Sequence, residues 1–77
     1  MISSFNIYII YPIEKEYELS SRESDVFGLV INGRSNSEIA SDLYIAESTV
    51  KFHVKNIFRK TSCTNRTELM KKFNINI

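Results

Sequence analysis

Ser48, Thr49, Lys51, Phe52, Lys55 and Arg59 crowd into one stretch, residues 48–59. At the helical period of about 3.6 residues, Ser48, Phe52, Lys55 and Arg59 share one side, with Lys51 at its edge. These side chains suit the edge of a nucleic-acid duplex. Lysine or arginine can donate to guanine O6 and N7, and an aromatic ring can meet a thymine methyl. Hydroxyls and free N–H groups at a helix start, here Ser48 and Thr49, can hold a phosphate oxygen with help from the helix dipole. Charge on an outer face ordinarily serves solubility. A bare Phe52 among cations serves neither solubility nor a core, and base readout is the chemistry that would use it. Lys60, Arg66, Lys71 and Lys72 are further candidates for backbone contacts, each on its charge alone.

The elements that must position this face can be read around it. A helix is predicted from about Glu47 to about Lys60, with Val50, Val54, Ile57 and Phe58 forming its apolar stripe. Before it stands a short helix, capped by Ser35 with Glu38 and burying Ile39, Ala40 and Leu43; Tyr44-Ile45-Ala46 forms the turn between the two. A short helix, a three-residue break and a second helix with a cationic outer face form a helix-turn-helix pattern. The first predicted helix starts at the capping box Ser20/Glu23, buries Val26, Leu29 and Val30, and stops at Asn32-Gly33. Thr61–Thr64 is predicted as a loop. A fourth helix starts near Asn65 and carries Leu69, Met70 and Phe73. At the other end, Phe5–Tyr11 is rich in β-branched and aromatic residues and reads as a strand or extended arm that Pro12 ends. Glu14–Glu18 reads as charged and exposed. The expected organisation is an arm or linker over 1–18, a helical domain over 19–73 and a frayed tail over 74–77. The fold class is all-α: four helices with a short extended N-terminal arm.

The formal net charge of +1 hides an asymmetry. Residues 1–47 carry three basic and eight acidic side chains, a balance of −5, and residues 48–77 carry seven basic and one acidic, a balance of +6. A basic half can bind phosphates even where the whole is nearly neutral. Catalysis fails on inventory. His53 is the one histidine, Cys63 the one cysteine, and Gly28 and Gly33 the two glycines, which leaves no triad, no cysteine-based metal site and no phosphate loop. No enzyme activity, cofactor or small-molecule substrate is expected. With no basic leader before its apolar run, the chain is expected to be cytoplasmic, with no membrane partner.

From Leu19 to Leu69 the sequence resembles the DNA-binding domain of LuxR-type (LuxR/FixJ) transcription regulators. The resemblance is carried by Leu19-Ser20-Ser21-Arg22-Glu23, Gly33-Arg34-Ser35-Asn36-Ser37-Glu38-Ile39-Ala40, Ile45, Glu47, Thr49-Val50-Lys51, His53, Asn56-Ile57, Arg59-Lys60 and Asn65-Arg66-Thr67-Glu68, in order and without gaps. It implies a tetrahelical helix-turn-helix domain that binds double-stranded DNA as a homodimer, its third helix in the major groove. Lys51, Phe52 and Lys55 match base-reaching positions of response-regulator members. Ser48, Thr49 and Arg59 match the surrounding contact surface, with Lys60 and Arg66 expected on the backbone. The fourth helix is implied as the dimer contact, through Asn65, Leu69, Met70 and Phe73. Ala46 stands where a capping serine is frequent, Tyr44 where a turn glycine is frequent, and Thr61 where leucine is usual. Phe52 occupies a variable base-facing position, so no target sequence carries over.

The reading that follows is a sequence-specific bacterial transcription regulator, either stand-alone or the output domain of a longer response regulator, with RNA polymerase as a further expected partner. The alternative is a protein-interaction module that heterodimerises with a full-length regulator and antagonises it.

Overall fold

The computed structural model describes residues 13–73. The extended run expected at Phe5–Tyr11 and the tail Asn74–Ile77 lie outside the described residues. The described residues form five helical stretches and no strand: α1 (13–17), α2 (Ser21–Ile31), α3 (Asn36–Leu43), α4 (Glu47–Thr61) and α5 (Arg66–Lys72). The four predicted helices are α2 to α5.

Two of the starts are the capping boxes legible in the sequence. Glu23 N–H donates to Ser20 Oγ at 3.1 Å and Ser20 N–H donates back to Glu23 Oε1 at 3.0 Å. Ser35 and Glu38 repeat the arrangement at 2.9 and 3.1 Å. Each box satisfies two N–H groups that a helix start leaves without intrahelical partners.

The stops share one device. A left-handed residue follows each of α1 to α4, directly after α1, α3 and α4 and one residue later, at Gly33, after α2. The next N–H reaches back to a carbonyl five residues earlier: Leu19 to Glu14, Arg34 to Leu29, Ile45 to Ala40 and Cys63 to Phe58, at 2.9–3.1 Å. These are Schellman closures. Gly33 takes φ +87 at no steric cost, but Glu18, Tyr44 and Ser62 adopt φ 56, 58 and 60 with a side chain in place. Such a residue costs about 1–2 kcal/mol relative to glycine. Tyr44 is 94% exposed, so it recovers none of this by packing. Tyr44→Gly is therefore expected to raise stability by about 0.5–1 kcal/mol, after allowance for glycine's greater freedom in the unfolded chain. A urea titration checks this; an unchanged midpoint would contradict the strain.

The core joins Leu19, Val26, Phe27, Val30, Ile39, Val50, Val54, Ile57, Cys63 and Leu69. α4 packs against α2 and α3, and α5 against α2. Leu29, Ala40, Leu43, Ile45 and Phe58 close the edge of the core.

Three expectations need correction. Residues 13–17, expected as part of an arm or linker over 1–18, are helical: Ile13 and Tyr17, spaced i,i+4, turn one helical face onto the core. Tyr17 meets Phe73 edge-on at 5.4 Å, and Phe73 meets Phe27 edge-on at 5.2 Å. This helix makes five helical stretches where four were expected. Lastly, Thr61 is not loop but the last residue of α4, fully buried. Its hydroxyl donates to the Ile57 carbonyl at 2.8 Å, which lets a polar side chain stand where an aliphatic one is usual.

Candidate nucleic-acid interface

α3, the turn 44–46 and α4 place the residues of interest. Val50, Val54 and Ile57 are buried, which fixes the rotation of α4 and turns Ser48, Lys51, Phe52, Lys55 and Arg59 outward. Phe52 is 61% exposed. Lys51 and Lys55 make no hydrogen bond or ion pair among the described residues, and Arg59 has one exposed contact, Nη2 to Asn56 Oδ1 at 3.3 Å. Ser48 is exposed and Thr49 half-buried at the helix start. The N-cap Ala46 makes no side-chain cap bond, so no side chain of the cap occupies the first N–H groups of α4.

The other expected anchors lie elsewhere. Lys60 Nζ donates to Glu23 Oε1 at 2.7 Å and to the Glu18 carbonyl at 2.9 Å. It ties the end of α4 to the start of α2. Arg66 donates to Asn36 Oδ1 at 2.6 Å and to the Arg34 carbonyl at 2.7 Å; burial pulls its pKa down from the ordinary arginine value, which leaves it charged. Lys72 donates to the Thr61 carbonyl at 2.8 Å and lies over the Tyr17 and Phe73 rings. Three of the seven cations after residue 47 thus hold the domain together. The basic face reduces to Lys51, Lys55 and Arg59, while Lys71 is exposed on α5.

The four residues expected at a dimer contact divide in the same way. Leu69 is fully buried and Phe73 is wedged between Tyr17 and Phe27, so both serve the core. Met70 is 39% exposed and Asn65 is exposed, its Oδ1 accepting from Glu68 N–H at 2.8 Å as the cap of α5. Sequence reasoning missed the tethers because each spans more chain than a local pattern can show: Lys60 and Glu23 are 37 residues apart, Arg66 and Asn36 30.

His53 borders this face. Its ring stands 5.7 Å from that of Phe52, and its Nδ1 is buried with no partner among the described residues. Inward lies Glu23. Burial would raise its carboxyl, but the hydrogen bonds from Lys60 and Ser20 and the charges of Lys60 and His53 prevail and hold it below the usual carboxylate value. Such a depressed pKa contributes stability above the unfolded value of about 4.3, and loses it as pH falls through the folded one. Glu38, through the Ser35 N–H and Arg34, and Glu68, through the Thr64 hydroxyl and N–H, are lowered likewise. Glu23→Gln is expected to flatten part of the acid limb of stability and to cost about 2 kcal/mol at neutral pH, because Lys60 is left half-partnered. Urea titrations across the acid range check both; an unchanged acid limb would contradict the role given to Glu23.

A helix-turn-helix whose second helix bears a free cationic face defines the class. The family model for bacterial regulatory proteins of the luxR family matches residues 17–73. The chain belongs to that family, and the match starts at Tyr17, the last residue of α1, in keeping with the packing of Tyr17 on the core. Among similar proteins, the transcriptional regulatory protein YhcZ of Bacillus subtilis is 46% identical over 66 residues, 82% of this chain and 31% of that one. The monoamine regulon transcriptional regulator of Klebsiella aerogenes is 48% identical over 54 residues, 70% of this chain and 24% of that one. The CsgBAC operon transcriptional regulatory protein of Escherichia coli is 41% identical over 59 residues, 77% of this chain and 27% of that one. The chain thus spans about a quarter to a third of the length of these relatives. No helix among the described residues is long and apolar enough to cross a membrane.

Proposed function

We propose that this chain reads duplex DNA as the DNA-binding part of a transcription regulator. α4 lies in the major groove, with Lys51, Phe52 and Lys55 toward base edges, and with Ser48, Thr49 and Arg59 toward the phosphates. The observation that carries this reading is Phe52, exposed between two lysines that no protein group holds among the described residues. Membership of the luxR family and the regulators among its relatives support it. Lys60 and Arg66 are not placed among these phosphate contacts, because two N–H donors of each are engaged within the domain. The regulator works as a dimer joined through the outer side of α5, around Met70, and binds a two-fold related site.

Selection of bound duplexes from a random pool tests this. The expected result is enrichment of a two-fold related sequence, its half-sites about one helical turn, roughly 10 base pairs, apart. No enrichment at low salt would contradict it. If the chain also retained a full-length regulator of this family from lysate, the result would favour the interaction module.

A further inference from the structure

Arg66 carries a charge suited to phosphate, but its surroundings give it different work. Its guanidinium is half-buried, and two of its nitrogens are spent on one short segment: Nη2 on the Arg34 carbonyl at 2.7 Å and Nη1 on Asn36 Oδ1 at 2.6 Å. That segment is the link between α2 and α3, with Ser35 as the N-cap of α3 and Asn36 its first residue. Arg34 in turn grips the far end of α3 from the same link. Its Nε and Nη2 donate to the two carboxylate oxygens of Asp42, both at 2.9 Å, and Nη1 stands 3.8 Å from Glu38. One continuous chain of bonds therefore runs from the first residue of α5, through the link, along α3. α4 packs on α3, and α5 bears the exposed Met70 on its outer side.

We propose that Arg66 is a positioning residue that fixes the angle between α5 and the α3–α4 pair, and so sets the spacing at which a dimer joined through α5 presents its two α4 helices to DNA. The inference rests on the DNA-reading dimer proposed above. A planar guanidinium can satisfy two acceptors in one plane, whereas an ammonium keeps the charge without that fork. Charge alone therefore does not preserve the function. A phosphate contact would behave in the opposite way.

The experiment compares wild type with Arg66→Lys, Arg66→Gln and Asn36→Ala on three duplexes: the selected two-half-site sequence, the same half-sites moved apart by about half a helical turn, roughly 5 base pairs, and a single half-site. Thermal melts followed by circular dichroism establish that each variant is folded. Asn36→Ala keeps Arg66 intact and removes one acceptor, so it serves if the Arg66 variants do not fold. Wild type is expected to favour the correct spacing. All three variants should lose that preference by about tenfold, while single half-site affinity and salt slope stay at the wild-type values. If Arg66→Lys keeps the spacing preference, or Arg66→Gln lowers the salt slope by about one ion with spacing preference intact, the positioning role is overturned and a phosphate contact takes its place. If wild type binds none of the duplexes, the DNA reading falls and the inference falls with it.

Discussion

Phe27→Ala is expected to unfold most of the domain at room temperature. Phe27 is fully buried on α2, and its ring is the inner member of a line of three, meeting Phe73 edge-on at 5.2 Å, with Tyr17 beyond at 5.4 Å. Truncation removes the buried ring and leaves a cavity, together worth about 3–5 kcal/mol. The edge-on pair with Phe73 adds about 0.5–1.5 kcal/mol. A domain of this size draws little more than about 3–5 kcal/mol of net stability from its core. The loss should reach beyond α2, because Phe73 and Tyr17 anchor the end of α5 and all of α1 through the same ring. Urea titration followed by far-ultraviolet circular dichroism tests this. A cooperative transition weakened by less than about 1 kcal/mol would show that the aromatic line is not what holds the two ends together.

The largest effect on binding is expected at Lys51 and Lys55. Each is exposed on α4 and free of protein partners among the described residues, so neither is needed for folding. Lys51→Ala or Lys55→Ala should cost about 1–3 kcal/mol on the selected duplex and much less on a random one, because a base contact is lost only where the base is present. Arg59→Ala makes the contrast. As a phosphate contact it should weaken both duplexes alike and lower the salt slope by about one ion. Competition titrations at two salt concentrations separate the two behaviours. Equal losses on selected and random DNA for the lysine variants would remove them from base reading.

Much of this fold was legible where the signals are local. The capping boxes of Ser20 and Ser35 start α2 and α3 as expected, and the stripe Val50, Val54, Ile57 fixes the rotation of α4. The outward direction of Lys51, Phe52 and Lys55 follows from that stripe alone. What escaped depends on distance. The Ile13/Tyr17 pair has helical spacing, but its five residues gain their reason to be helical from Phe73, far along the chain. Lys60, Arg66 and Lys72 carry the same charge as the residues of the binding face, and composition cannot tell a free cation from one that holds a carbonyl or carboxylate. Leu69 and Phe73 were legible as apolar, but not as inward-facing: α5 is seven residues long, too short for a pattern to show which side meets α2. Thr61 is a case of chemistry overriding type, its hydroxyl satisfied by the helix's own carbonyls.

The central claim is that the outer face of α4 meets the duplex. It is tested most directly by titrating the isotopically labelled chain with a short duplex at low salt, where non-specific contacts suffice, and following backbone amide shifts. The account predicts that the movements centre on Ser48, Thr49, Lys51, Phe52, Lys55 and Arg59, while Asp25 on α2 and Met70 on α5 stay in place. Shifts centred on α5 or α2, or none at all, would contradict it.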